Sequence, residues 1–282
     1  MFNYAGKTAL ITGASSGIGE AFAHILAARD MNLVLVARSE EKLHAIAQAL
    51  SQQYGIRAEV IPADLCREGA AQEIYQQTQA LDIPVDLLVN NAGFGTYGDF
   101  ETLASEREHE EITLNVTTLV DLTHACVPAM VEKKDGGVIN IASIAAFQPL
   151  PYHAVYGASK AFVLSFSLAL WAEYRTRGVH VVALCPGPTA TNFFTVLEAP
   201  EMPVMGRMHT PEAVVMAGLR ALEQGRPYAV EGRRNAFGAQ LTHMTPLALT
   251  TRVFATVMHP RKQEAAPGGE RSATPLASRS RP

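Results

Sequence analysis

A tyrosine and a lysine four positions apart, Tyr156 and Lys160, are the side chains of this sequence best suited to acid–base chemistry. The apolar run around them predicts a helix, which places both side chains on one face. A phenol titrates near pH ~10 in water, and a neighbouring ammonium favours the phenolate. The spacing therefore predicts that Lys160 lowers the pKa of Tyr156, so that the phenol can exchange a proton near neutral pH.

A serine stands where a reacting substrate would need a hydrogen-bond donor. Ser143 ends the fifth predicted strand, GGVINIAS. Active-site groups of open α/β sheets gather at the carboxyl ends of the strands. The hydroxyl of Ser143 can therefore hydrogen-bond a substrate oxygen on which negative charge develops.

A glycine-rich turn, TGASSGIG, lies between the first predicted strand and the first helix. Backbone N–H groups and the positive end of a helix can bind a pyrophosphate at such a turn. Gly13 allows the tight turn, Gly17 the close approach of the backbone, and Gly19 the close packing of helix on strand. This position in a βαβ unit predicts a dinucleotide site, and a purely structural turn is the alternative. The predicted contacts are Gly13, Ser15, Ser16, Gly17, Ile18 and Gly19.

The end of the second predicted strand indicates which dinucleotide binds. Enzymes that use NAD usually place an acidic residue there, on the ribose hydroxyls. Here the sequence is Ala37-Arg38-Ser39, which has no carboxylate to repel a 2′-phosphate. Arg38 can bind that phosphate by a charge-assisted, forked contact. We therefore predict NADP(H) rather than NAD(H), the alternative being that Arg38 is an ordinary surface arginine.

Short apolar runs alternate with helix-length segments along the chain, and these elements must position the residues above. Continuous Val, Ile and Leu runs are typical of strands buried on both faces of a parallel sheet. The alternation predicts right-handed βαβ units and a doubly wound α/β fold, the Rossmann fold, with one parallel sheet of about seven strands and helices on both faces. One domain is predicted over residues 1–260, followed by a flexible tail over 261–282, which is rich in Pro, Gly, Ser and Arg.

Taken together, these motifs resemble the short-chain dehydrogenase/reductase family, in the branch with T-G-x-x-x-G-x-G, N-N-A-G and Y-x-x-x-K. The resemblance covers about residues 5–235 and includes Asn90-Asn91-Ala92-Gly93 and Pro186-Gly187. It implies a catalytic tetrad of Asn115, Ser143, Tyr156 and Lys160, in which Asn115 holds a water that relays protons to Lys160. The further cofactor contacts that the resemblance implies are Asp64, Leu65, Asn91, Ala92, Gly93, Tyr156, Lys160, Pro186, Gly187, Thr189 and Thr191.

An apolar segment after Thr191, which in this family covers the substrate, predicts a lipophilic or bulky carbonyl substrate. The alternative is that these side chains only pack the lid on the core. The segment supplies Phe193, Phe194, Val196, Leu197, Met202, Val204 and Met205, and the same cavity is expected to include Phe94, Tyr97, Phe147, Gln148 and Tyr152. Residues 236–258 continue past the usual family core with helical apolar spacing. Three uses of residues 236–258 stay open: packing over the pocket, a subunit contact, or a membrane interface.

Composition excludes several classes of protein. The 282 residues are 48% hydrophobic and 18% charged, which excludes an intrinsically disordered chain. The formal net charge of -4 gives no global basic field, so we expect no nucleic acid partner. Three separated cysteines suggest no disulfide framework and no metal site. We find no targeting signal and no membrane-spanning apolar run, and therefore expect a cytoplasmic protein.

The sequence thus predicts an NADP(H)-dependent oxidoreductase that reduces a ketone or aldehyde, or catalyses the reverse reaction, with Tyr156 as general acid and base. The helix that carries Trp171 has apolar residues on more than one face, and its equivalent commonly forms subunit contacts in the family. A homodimer or homotetramer is therefore expected, and membrane association is not favoured. The alternative function is a non-catalytic NADP(H) sensor with the same fold. A family epimerase or dehydratase would need a larger C-terminal domain than this chain contains.

Overall fold

Seven strands form one sheet, and every neighbouring pair in it is parallel. A computed structural model describes residues 2–197, 202–203, 206–242 and 245–260. The strand order is β3-β2-β1-β4-β5-β6-β7. This arrangement confirms the predicted Rossmann fold. The strands are β1 Thr8–Thr12, β2 Asn32–Ala37, β3 Ala58–Pro62, β4 Leu87–Asn90, β5 Gly136–Ile141, β6 Val179–Cys185 and β7 Tyr228–Val230.

Helices cover both faces of the sheet, because the apolar strands offer a hydrophobic surface on each side. Phe22 and Leu26 lie in the core on one face, and Ile74 and Met130 in the core on the other. The helices are α1 Gly17–Ala27, α2 Glu40–Tyr54, α3 Ala70–Ala80, α4 Ser105–Ile112, α5 Thr118–Lys133, α6 Ala154–Tyr174, α7 Phe193–Val196, α8 Pro211–Glu223, α9 Arg233–Thr242 and α10 Leu247–Val257. Two 3-10 turns, Phe100–Thr102 and Ile144–Phe147, complete the described helical elements together with a π-helical turn, Thr113–Thr117.

The position of the site follows from the strand order. The strand order reverses between β1 and β4, which are direct neighbours, because the chain returns from β3 at the edge of the sheet to form β4 beside β1. A crevice opens outside the carboxyl ends of the strands at such a switch point, where open α/β sheets bind their ligands. The glycine-rich turn after β1 and the Asn-Asn-Ala-Gly segment after β4 therefore face each other across this crevice.

Two helical stretches are long and apolar enough to cross a bilayer by length and composition, Ser105–Lys133 and Ala154–Tyr174. Helices that cover the core of a soluble domain pass the same test. In this fold α5 packs on β5, and α6 packs on β5 and β6. The sequence predicted that no stretch is long and apolar enough to span a bilayer, and by this criterion of length and composition that prediction is wrong.

The described C-terminal part contains two helices, α9 and α10. Pro246 caps α10, as its backbone chemistry predicts, because proline is tolerated at a helix start but not inside one. Residues 261–282, predicted as a flexible tail, lie outside the described residues. Val204 and Met205 of the predicted lid also lie outside the described residues, and the side chain of Val196 is not described.

Candidate active site

The glycine-rich turn after β1 has the backbone that its sequence predicts. Gly13 and Gly17 have φ angles of +65° and +60°, a region that favours glycine. A Cβ on Gly17 would lie 3.0 Å from Cγ2 of Thr191, and a Cβ on Gly19 would collide with the carbonyl oxygen of Gly13. Side chains at these positions would fill the cradle, so the turn keeps its backbone open to a phosphate.

The segment after β4 is fixed to this turn by hydrogen bonds. Nδ2 of Asn91 donates to the carbonyl oxygens of Thr12 at 2.8 Å and Gly13 at 3.2 Å. In return, the hydroxyl of Thr12 accepts from the backbone N–H groups of Asn91 and Ala92. The two halves of the predicted dinucleotide site are therefore held as one rigid unit.

Tyr156 and Lys160 lie on α6, as predicted, and both line the crevice. The Lys160 ammonium is buried, donates to the carbonyl oxygen of Ile141 at 2.9 Å, and lies 5.7 Å from the centre of the Tyr156 ring. Ser143 caps the short 3-10 turn, and its Oγ accepts from the N–H of Ala145 at 3.1 Å. The side chains of Ser143 and Tyr156 also share a hydrogen bond.

The pKa values in this site depend mainly on burial. Burial raises the pKa of Tyr156 to about 12, against the lowering effect of the hydrogen bond with Ser143. Burial also lowers the pKa of Lys160 to about 8. The pKa of Tyr156 in the protein alone is therefore raised rather than lowered, contrary to the expectation from its spacing to Lys160. The reason is that desolvation of the buried phenolate is the largest effect on this pKa.

Asn115 is buried in the π-helical turn between α4 and α5, rather than in the middle of a regular helix. Its Nδ2 donates to the carbonyl oxygen of Phe94 at 2.9 Å and to Oγ of Ser159 at 3.1 Å. Its Oδ1 accepts from the N–H of Phe94 at 3.2 Å and lies 2.7 Å from where a Cβ on Gly93 would be. Asn115 thus holds the loop after β4 against α6.

One cavity of about 850 Å³ brings most of the predicted site residues together. Gly19 and Asn115 do not line it and instead support residues that do. The catalytic roles of these residues stay predictions. The predicted residues on its wall are Gly13, Ser15, Ser16, Gly17, Ile18, Arg38, Asp64, Leu65, Asn91, Ala92, Gly93, Ser143, Tyr156, Lys160, Pro186, Gly187, Thr189 and Thr191.

Apolar side chains make up part of the cavity wall. Phe94, Phe193, Phe194 and Met202 line the cavity, as the sequence predicts, and so does Gln148. The other predicted lining residues whose side chains the structure describes do not reach the wall. Leu197 and Tyr97 are buried in a cluster behind it, with Tyr152 packed on that cluster, and Phe147 packs near Tyr228 with 6.2 Å between ring centres.

Residues 236–258 cover the cavity with one side and face outward with the other. This side packs over the pocket, which is one of the three uses left open by the sequence. The residues that line the cavity wall here are Gly238, Ala239, Phe254 and Met258. The other side exposes Phe237, Leu241, Leu247, Leu249, Val253 and Val257. Its use as a subunit or membrane contact stays open.

Sequence reasoning missed several residues of the site. His153 and Asn235 line the cavity, and so does Arg107, whose guanidinium lies 3.8 Å from the centre of the Phe94 ring. Glu111 is wholly buried behind the loop after β4. Only the spacing of Glu111 from Asn115, one helical turn, was visible in the sequence.

The family of the chain follows from comparison with known proteins. A family model described as short chain dehydrogenase matches residues 7–201, which include the glycine-rich turn, Ser143, Tyr156 and Lys160. The chain belongs to this family. The recognition from the motifs is thereby confirmed.

Three similar curated proteins differ in the activity that their names give. Hydroxysteroid dehydrogenase-like protein 1 of Gallus gallus is 38% identical over 66% of this chain and 56% of its own length. Very-long-chain 3-oxoacyl-CoA reductase of Anas platyrhynchos is 32% identical over 80% of this chain and 74% of its own length. Inactive hydroxysteroid dehydrogenase-like protein 1 of Homo sapiens is 37% identical over 66% of this chain and 57% of its own length.

Solved structures share the fold over most of the chain. A short-chain dehydrogenase from Sphingobium yanoikuyae in complex with NADPH is 31% identical, with a TM-score of 0.75 over 92% of this chain and 98% of its own. A 7β-hydroxysteroid dehydrogenase is 28% identical, with a TM-score of 0.81 over 90% of this chain and 100% of its own. An NAD(P) cofactor is therefore the group that this fold holds in related proteins.

Proposed function

We propose that this protein is an NADP(H)-dependent oxidoreductase that interconverts a lipophilic carbonyl compound and its alcohol. The observation that carries the proposal is that one cavity combines a glycine cradle, the Ser143, Tyr156 and Lys160 side chains, and a group of apolar side chains. Family membership and the NADPH-bound relative support the same reaction class.

The residues of the cavity fit a dinucleotide. The positive φ angles of Gly13 and Gly17 turn the backbone toward the start of α1, where the helix dipole favours phosphate. Thr189 and Thr191 lie on the wall near Pro186-Gly187, where a nicotinamide carboxamide would need hydrogen-bond partners. A Cβ on Gly187 would collide with the side chain of Asn235, so this turn also needs glycine.

NADP(H) rather than NAD(H) is favoured by charge. Arg38 lies on the cavity wall at the end of β2 and is exposed to solvent, and its neighbour there is Ser39 rather than a carboxylate. A guanidinium binds a 2′-phosphate by paired, charge-assisted hydrogen bonds. Hydrogen bonds to charged groups contribute about 1.5–3 kcal/mol, so Arg38→Ala should raise the KM for NADPH by about tenfold or more.

Cofactor choice is tested by comparing the KM values for NADPH and NADH in the wild type and in Arg38→Ala. Arg57→Ala is the matched control, because Arg57 is an exposed arginine that pairs with Glu59 on β3 away from the cavity. Arg38→Ala should weaken NADPH selectively, and Arg57→Ala should leave both constants unchanged. Equal preference for the two cofactors in the wild type would defeat the assignment.

A bound nicotinamide cofactor supplies or accepts the hydride. In reduction, Tyr156 donates the phenolic proton to the carbonyl oxygen, and a pKa of about 12 keeps that proton on the oxygen at neutral pH. The hydroxyl of Ser143 hydrogen-bonds the same substrate oxygen as charge develops. Lys160, oriented by the carbonyl oxygen of Ile141, provides the positive charge that stabilises the phenolate left behind.

Tyr156→Phe tests this acid. The variant keeps the aromatic ring, which stacks on His153, and removes only the hydroxyl. Turnover of any accepted carbonyl should fall at least about 100-fold, the usual contribution of general acid catalysis, while NADPH still binds. Fluorescence titration measures the binding and loss of NADPH absorbance measures the turnover. Near-normal activity would refute the role of Tyr156.

The apolar side chains that line the cavity favour a bulky, lipophilic substrate. They include Phe193, Phe194, Met202 and Phe254, and flexible Met and aromatic side chains adapt to large apolar groups. The names of the relatives, which include hydroxysteroid and very-long-chain acyl compounds, agree with this class. A series of ketones of rising chain length should show kcat/KM rising with length, and Phe254→Ala should flatten that rise. A preference for short, polar carbonyl compounds would reject the substrate class.

A second candidate is an NADP(H)-binding protein without turnover. The human relative, 37% identical, carries the word inactive in its name. This chain retains both Tyr156 and Lys160, which favours the enzyme. Tight NADPH binding with no turnover across a wide panel of ketones and aldehydes would favour the sensor instead.

A further inference from the structure

A buried carboxylic acid behind the active site has no role in the reaction described so far. Glu111 lies near the end of α4, one helical turn before Asn115, and its side chain is wholly inaccessible to solvent. Oε2 accepts a hydrogen bond from the hydroxyl of Thr96 at 2.9 Å, whereas Oε1 has no hydrogen-bond partner among the described residues. Burial of an underpaired carboxyl group costs stability, so its presence calls for a functional reason.

Glu111 and Asn115 both hydrogen-bond the loop after β4, at two residues that lie two positions apart. Asn115 bonds both backbone groups of Phe94, and Glu111 bonds the side chain of Thr96 two residues further on. The loop after β4, which carries the cavity-lining Gly93, is thus held from one side by two residues a single turn apart.

The same threonine connects Glu111 to the catalytic helix. The carbonyl oxygen of Thr96 is hydrogen-bonded to Nδ1 of His153, which is buried on the turn before α6. The His153 ring stacks on the Tyr156 ring, with 4.3 Å between centres and 18° between planes. A continuous set of contacts therefore runs from the Glu111 carboxyl to the ring of the proposed acid.

Glu111 is also coupled electrostatically to Lys160 and Tyr156. The Lys160 ammonium lowers the pKa of Glu111, and the Glu111 carboxylate raises the pKa values of both Lys160 and Tyr156. The other titratable groups that act here are Glu108 on α4, which raises the pKa of Glu111, and Cys185 on β6, which acts on Lys160. Burial favours the neutral form of both Glu111 and Lys160, so each depends on the other for its charge.

We propose that Glu111 is a positioning residue of this active site, which keeps Lys160 protonated and, through Thr96 and His153, holds the ring of Tyr156. The inference rests on the proposed function for its catalytic meaning. The coupling between Glu111 and Lys160 exists whether or not the protein turns over a substrate, so it can be measured separately.

The first experiment measures that coupling in the ligand-free protein. Difference infrared spectroscopy follows the carbonyl band of the protonated Glu111 carboxyl group against pH, with Glu111→Gln identifying the band. Lys160→Met should move the midpoint of this titration up by at least about half a pH unit, because the ammonium that favours the carboxylate is gone. In a Glu108→Gln background, Lys160→Met should still raise the midpoint of the Glu111 titration by a similar amount. A midpoint that Lys160→Met does not move would overturn the coupling.

The second experiment measures the consequence for turnover with an accepted ketone and NADPH. In Glu111→Gln, which keeps the size of the side chain, the alkaline limb of the kcat profile should move down by at least about half a pH unit, because Lys160 and Tyr156 both lose protons more easily. Thr96→Val removes the donor to Glu111 and should move the limb in the same direction. Glu106→Gln, which removes an exposed carboxylate from the same helix, should superimpose on the wild type. If Glu111→Gln alters only the melting temperature and keeps the wild-type profile, Glu111 is merely structural and the proposal fails.

Discussion

His153 makes the stability of this protein sensitive to acid. The ring is 1% exposed, and burial lowers its pKa from 6.5 to about 4, against the opposing effect of its bond to the Thr96 carbonyl. The folded pKa lies below the unfolded value, so this contribution to stability is complete above pH 6.5 and is lost as the pH falls toward 4. Integration from pH 8 down to pH 4.5 gives a loss of about 2–3 kcal/mol, a large part of the stability of a typical domain.

Urea unfolding of the wild type and of His153→Phe at pH 8 and pH 4.5 measures this loss. Phenylalanine keeps the stacking on Tyr156 and cannot be protonated, so the effects of other titrating groups cancel in the difference between the two proteins. The advantage of the wild type over the variant should shrink by about 2–3 kcal/mol between the two pH values. His124→Gln is the control, because its ring is exposed in the folded protein as in the unfolded chain. A wild-type advantage that stays constant with pH would refute the reasoning.

Three further predictions concern stability. Burial raises the pKa of Glu111 to about 7, so its contribution to stability is complete below pH 4.5 and is lost as the pH rises through 7. Across that range, the free energy of unfolding of Glu111→Gln in urea titrations should rise by up to about 3 kcal/mol relative to that of the wild type. Asn140→Val leaves Nδ2 of buried Asn90 without its 2.9 Å acceptor and should lower the free energy of unfolding by about 1–3 kcal/mol. Tyr97→Phe removes the 2.6 Å bond to the Met258 carbonyl and should speed amide hydrogen exchange in α10, with little change in the exchange of β1.

The sheet was predictable from the sequence because its strands are buried on both faces. In β2, Asn32–Ala37, an unbroken apolar run lies between the polar residues Asn32 and Arg38, and the strand ends at Ala37 as the sequence predicts. The crevice was predictable for the same reason, since strand order fixes where the loops after β1 and β4 meet. Local chemistry also located the glycine-rich turn, because only glycine tolerates its φ angles.

What could not be predicted depends on contacts between residues far apart in the chain. His153 and Asn235 reach the cavity only because α6 and α9 pack around it, and neither residue lies in a motif. The pKa of Tyr156 was misjudged because spacing on a helix reveals the neighbouring ammonium but not the loss of water around the phenol. Glu111 was missed because a glutamate in a charged stretch, SEREHEEI, is expected to face solvent.

The π-helical turn Thr113–Thr117 accommodates more residues per turn than an α-helix does. Each residue of an α-helix rotates the chain by about 100°. A rotation of that size follows when a residue is inserted into a regular helix, whereas a π-helical turn absorbs the extra residue and leaves the helices on either side in register. Asn115 lies inside the wide turn, and Glu111 lies in the regular helix before it. Removal of one residue from Thr113–Thr117 should therefore re-aim Asn115 while Glu111 keeps its place behind the loop after β4.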